Sequence, residues 1–132
     1  MEFAPMEELD RRPTRILLVE DEFFVRVDIA AALRGSGFHV VEAVTADEAW
    51  VFLEAGELPD LLLTDVRTPG DLNGLTLAER VRSRLPNLPI IIASADITSE
   101  KEATRIGKFV SKPYDIQCIV QLLANIAGEP LK

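Results

Sequence analysis

The chain has 132 residues, the length of one ordinary domain, and 48% of them are hydrophobic, which excludes wholesale disorder. A net charge of −8 and a pI near 4.6 argue against a nucleic-acid or anionic-membrane surface, since both need a basic face. Cys118 is the only cysteine, so no internal disulfide is possible; no apolar run approaches the ~20 residues that span a bilayer, and with no signal-peptide pattern a soluble cytoplasmic protein is expected.

Residues 1–13 are polar and read as a mobile tail. A rhythm then begins. "RILLVE" (Arg15–Glu20) is a short apolar run suited to a strand buried on both faces. "FFVRVDIAAALRG" is helical in pattern, and Gly35 and Gly37 stop it. "FHVVEA" (Phe38–Ala43) is short and β-branched. "TADEAWVFLEAG" (Thr45–Gly56) opens on a Thr/Asp cap signal and ends in glycine. "DLLLTD" (Asp60–Asp65) is a second apolar strand ending in an acid. "GLTLAERVRSRL" (Gly74–Leu85) carries a helical stripe at Leu77, Ala78, Val81 and Leu85. "LPIIIAS" (Leu88–Ser94) and "KFVSK" (Lys108–Lys112) are further strands. Between them roughly ten residues remain for a crossover, near its lower limit, so "TSEKEATRI" (Thr98–Ile106) is expected as a short or irregular helix. "DIQCIVQLLANIAG" (Asp115–Gly128) closes the domain as a helix striped by Ile116, Ile119, Val120 and Leu123. One α/β domain over residues 14–128 is predicted, with a tail at 129–132: a parallel sheet with helices on both faces.

In an open parallel sheet, sites lie beyond the carboxyl ends of the strands. Those ends carry Glu20 and Asp21, then Asp65, Ser94 and Lys112. Each alone has a bland explanation: an acid after a strand is usually a solvated turn residue, a serine a cap, a lysine a surface charge. Their joint occurrence on one edge points to phosphoryl transfer. Clustered carboxylates call for a hard cation such as magnesium, and a carboxylate can attack phosphorus to give an aspartyl phosphate. A metal and a lysine would neutralise the phosphoryl oxygens.

"LLVEDE", "LLLTDVRTPGDLNGL", "IIIASAD" and "FVSKPYD" resemble the receiver domain of two-component response regulators over about Thr14–Ala127. The resemblance implies a flavodoxin-like, doubly wound, five-stranded parallel sheet in the order 2-1-3-4-5. It implies that Asp65 is the phosphoacceptor. Asp21 would ligate Mg2+ directly, Glu20 mainly through water, and the backbone carbonyl of Arg67 would be a further ligand beside Asp65. Ser94, Ala95 and Lys112 would hold the phosphoryl group, with Ser94 and Phe109 as the switch pair. Arg67 and Asp96 would flank the pocket; their opposite charges leave open a pair across its mouth or two independently solvated side chains.

Within receivers, "VRTPGDLNGL" and "SKPYD" look most like stand-alone alphaproteobacterial regulators. The implied function is that of a single-domain response regulator, not an enzyme beyond self-catalysed phosphoryl acceptance and autodephosphorylation. Its partners would be a sensor histidine kinase and a histidine phosphotransfer protein or downstream target, with no nucleic acid and no membrane. Three features depart from the commoner pattern: the Asp65–Gly74 loop is one residue longer, the fourth crossover is short, and Arg67 and Asp96 occupy the two pocket-flanking positions where residue type varies among receivers. A haloacid-dehalogenase phosphatase would need a second acid where Arg67 stands. A nucleotide- or flavin-binding fold would reject the acids after strand 1. The serious rival is a non-phosphorylated receiver-like interaction module, which would need none of these residues intact.

Overall fold

Residues 12–128 are described by the structure, a computed structural model; the expected tails at 1–11 and 129–132 lie outside the described residues. The elements are β1 (Arg15–Val19), α1 (Phe23–Gly35), β2 (His39–Ala43), α2 (Ala46–Glu54), β3 (Leu61–Asp65), α3 (Gly74–Arg84), β4 (Ile90–Ser94), α4 (Glu100–Ile106), β5 (Lys108–Ser111) and α5 (Ile116–Ala127). The strands form one parallel sheet in the order β2-β1-β3-β4-β5.

Alternation along the strands divides their side chains between two cores. Leu17, Val19, Leu62 and Ile92 face α2, α3 and α4, where they meet Ala49, Leu77, Ala78, Val81 and Ala103. Ile16, Leu18, Leu61, Leu63 and Ile91 face α1 and α5, where they meet Ile29, Leu33, Ile119 and Leu123. Leu17 and Leu62 are both 0% exposed. Full burial of such a side chain contributes roughly 1.5–3 kcal/mol, which is why these strands read as unbroken apolar runs.

Local signals set the helix ends. Thr45 accepts from the Glu48 N–H, Asn73 from the Thr76 N–H, and Asp115 from the Gln117 and Cys118 N–H groups. Gly128 ends α5 in the left-handed region at φ 71°. The crossover from β4 to β5 is short, as its length predicts: a 3-10 turn at Ile97–Ser99, then a seven-residue α4 that buries only Ala103. Arg82 on α3 compensates by donating to the Ile106 carbonyl at 2.6 and 2.9 Å and to the Leu88 carbonyl at 2.7 Å.

Several strands are shorter than their apolar runs. Phe38 and Leu88 are not in strands, because their N–H groups close turns onto the Leu33 and Leu85 carbonyls. Asp60 precedes β3; its N–H still donates to the Arg15 carbonyl at 2.8 Å, while its carboxylate, not its carbonyl, accepts from the Arg15 N–H at 2.8 Å. Glu20 and Lys112 stand one residue past β1 and β5. Their N–H groups still bond to the Ala43 and Ser94 carbonyls, so the sheet fixes where both side chains start.

Candidate acidic site at the carboxyl edge

Parallel register brings the strand ends level. Val19 lies beside Thr64, Asp65 beside Ala93, and Ser94 beside Ser111. The next residues, Glu20, Asp21 and Lys112, therefore enter one space with Asp65. Carboxylate oxygens of Glu20, Asp21 and Asp65 lie within 4.8 Å of one another. The Lys112 ammonium donates to Glu20 Oε1 at 2.7 Å and to Asp65 Oδ2 at 3.2 Å.

The three acids are held differently. Glu20 is 3% exposed, and its Oε2 also accepts from the Glu22 N–H at 3.2 Å, so both its oxygens are engaged. Asp65 is half-buried, and Asp21 is exposed at the rim. Burial raises the Asp65 pKa above the usual carboxylate value; Lys112 opposes the rise and Glu20 adds to it. For Lys112, burial works against the charged form, but the hydrogen bond to Glu20 and the Asp65 charge outweigh it and raise its pKa. Tyr114 nearby is pushed up to about 12, chiefly by burial.

Gly74 explains how the acid end of β3 is reached by the next helix. A Cβ at this position would run into the Asp65 backbone carbonyl. With none there, the Gly74 N–H donates to the Val66 carbonyl at 2.7 Å and α3 starts directly against the acid.

The opposite wall carries the remaining predicted residues. Asp65, Arg67, Ser94, Ala95, Asp96 and Lys112 line one cavity. Arg67 and Asp96 do pair, at 3.4 Å, although the Arg67 side chain is 81% exposed. Asp96 also accepts from the Thr98 N–H and hydroxyl, and these bonds, more than Arg67, hold its pKa below the usual carboxylate value. Ser94 is buried, and its Oγ accepts from the Asp96 N–H at 3.0 Å, the turn-cap role open to any serine. Phe109 sits half-buried on β5 against the α2–α4 core, apart from the cavity wall.

Sequence reasoning missed three features. The Glu20–Lys112 bond joins residues 92 positions apart, and no local pattern signals it. Tyr114 stands inside "FVSKPYD", where no role is assigned to it. Asp47 and Thr68, which tie the β3–α3 loop to α2, carried only the ordinary signals of a helix start and a turn.

The response regulator receiver domain family matches residues 16–124. The chain is 34% identical over 112 residues to the DNA-binding transcriptional regulator NtrC of Salmonella typhimurium, covering 82% of this chain but 24% of that protein. It thus spans about a quarter of that relative's length. Among solved structures, the receiver domain from hybrid histidine kinase CckA is 35% identical with a TM-score of 0.70, over 84% of this chain and 96% of that one. Response regulator TrrA from Thermotoga maritima, solved in complex with Mg2+-BeF, shares the fold at 23% identity and a TM-score of 0.77, over 86% of this chain and 98% of that one. The strand order, the acids at the edge and these similarities agree: the chain belongs to the response regulator receiver domain family of two-component systems.

Proposed function

We propose that the carboxyl edge is a magnesium-dependent phosphoacceptor site, with Asp65 taking a phosphoryl group from a sensor histidine kinase. The observation that carries this reading is the Lys112 ammonium bridging Glu20 and Asp65 beside a three-carboxylate cluster. An all-oxygen donor set of hard carboxylates fits Mg2+. Asp21, Asp65 and the Arg67 carbonyl would hold it, while Glu20, already engaged on both oxygens, acts through water. Bound there, the metal supplies positive charge against the phosphoryl oxygens.

The chain's own groups divide the remaining work. Lys112 engages Asp65 Oδ2, so Oδ1 is the oxygen without a hydrogen-bond partner among the described residues and serves as nucleophile. It attacks phosphorus as the bond from phosphorus to the donor's imidazole nitrogen breaks, and the imidazole leaves. Lys112 then faces the new phosphoryl oxygens, and Ser94 and the Ala95 N–H receive them from β4. Drawing the Ser94 hydroxyl toward phosphate takes it from the Asp96 N–H, which loosens the turn into α4. Phe109 on the neighbouring strand follows the vacated space. Signalling then proceeds by phosphorylation-dependent binding of a target or transfer to a histidine phosphotransfer protein, in the cytoplasm.

The test is acyl phosphate formation from acetyl phosphate, read as a base-labile mass increment. It is expected with Mg2+, lost on chelation, and lost in Asp21→Asn and Asp65→Asn. Equal labelling with and without metal would sink the metal assignment.

A further inference from the structure

Within the loop between Val66 and Gly74, Leu72 is the only buried residue. Val66, just before Arg67, is buried in the same core as Leu72, so apolar packing fixes the two ends of the loop and leaves residues 67–71 without it. Polar contacts hold the stretch between. Asp47, in the first turn of α2, accepts from the Leu72 N–H at 3.3 Å. The Thr68 hydroxyl accepts from the Ala46 N–H at 3.2 Å and donates to the Leu72 carbonyl at 3.2 Å. Gly70, at φ 107°, lets the chain lie against the Asp47 carboxylate, where a Cβ would collide with it. The anchor itself is firm, since Ala46 and Ala49 of α2 are both 0% exposed.

We infer that Asp47 and Thr68 are positioning residues that clip the β3–α3 loop to α2 and so set the Arg67 carbonyl for the cation. The inference rests on the proposed metal site. It extends that site to a helix that contributes no ligand. Groups behind a ligand commonly govern metal affinity as strongly as this, because they fix the ligand's direction.

Two measurements on the full chain test it, with magnesium alone as the probe. In metal-free protein, Asp47→Ala and Thr68→Val should speed amide exchange at Leu72 and Ala46, respectively. By titration calorimetry both should weaken magnesium binding about tenfold. Asp47→Asn and Thr68→Ser, which keep an acceptor oxygen and a hydroxyl, should restore most of the affinity; a merely structural loss would not be rescued in this way. Wild-type affinity in Asp47→Ala and Thr68→Val overturns this inference while leaving the metal site standing. Wild-type protein that ignores magnesium overturns the proposed function, and this inference with it. A fall in affinity that Asp47→Asn and Thr68→Ser do not rescue also overturns it.

Discussion

Two opposite-charge contacts sit on the same edge of the sheet and have little else in common. The Glu20–Lys112–Asp65 trio is sunk into the fold: the Glu20 side chain is 4% exposed, Asp65 14% and Lys112 21%. The Arg67–Asp96 pair stands at the mouth with side chains 81% and 35% exposed. In the trio, water is too scarce to screen the charges, so each carboxylate depends on one ammonium. In the pair, water screens both groups, and Asp96 is held mainly by Thr98. Charge pairs of one chemistry thus differ by depth: under the proposed function the deep one would govern stability and acceptance of phosphate, and the shallow one only traffic through the mouth.

Breaking the trio should give the largest effect. Lys112→Met leaves two neighbouring carboxylates without their cation and should destabilise the metal-free protein by about 3 kcal/mol in denaturant unfolding. Magnesium should recover part of that loss, because it supplies the missing positive charge. A midpoint equal to wild type in metal-free buffer would erase the distinction between the deep and shallow pairs.

A smaller effect of opposite sign is expected for Asp65→Asn. Folding raises the Asp65 pKa, chiefly through burial, so ionised Asp65 is a burden on the fold. The stabilising contribution of its protonated form is complete below the ordinary carboxylate pKa and is lost as pH rises through the raised value. Metal-free Asp65→Asn should therefore be more stable than wild type at neutral pH. The two should converge as the solution is acidified through that window. Thermal melts across pH would show this; a wild-type advantage at neutral pH would mean that Lys112 outweighs burial.

Tyr114 sharpens the depth argument without altering the trio. It is the chain's only tyrosine, so its phenolate absorbance is free of overlap. The midpoint should fall near 12, against the ordinary value of 10.0. Because this pKa too is raised, its contribution to stability is complete below 10.0 and is lost as pH rises toward 12. An ordinary midpoint would show that the surroundings of the Tyr114 ring, beside the trio, are wet.

The smallest effect on stability belongs to Arg67→Ala, which should leave the unfolding midpoint unchanged while shortening the acyl phosphate lifetime, since bulk at the mouth obstructs an in-line water. Asp96→Ala added to it should change the lifetime little further. Strictly additive lifetimes would show that the 3.4 Å contact has no role in hydrolysis.

The same depth explains what the sequence made legible. Strands buried on both faces write themselves as apolar runs, so "ILLV", "LLL" and "III" disclosed the sheet, and the residues at their ends disclosed Glu20, Asp21, Asp65 and Ser94. Strand boundaries were less legible, because Phe38 and Leu88 are apolar for packing on the two cores while their N–H groups close turns instead of pairing in the sheet. The short α4 was readable from spacing alone; the Arg82 bonds that finish it were not, since they depend on how α3 lies over the crossover. Glu20 read as one of three acids waiting for a cation, yet its buried carboxylate already has Lys112. Long-range polar contacts of this sort are set by register between distant strands, and no local pattern carries them.

The most direct test of the phosphoacceptor assignment is to find the carbon that carries the phosphate. Protein treated with acetyl phosphate and Mg2+, then reduced with borohydride, should yield peptides in which Asp65 has become homoserine, while Glu20 and Asp21 remain intact. Reduction at Asp21 or Glu20 with Asp65 unchanged, or no reduction despite a phosphoryl mass increment, would contradict the account.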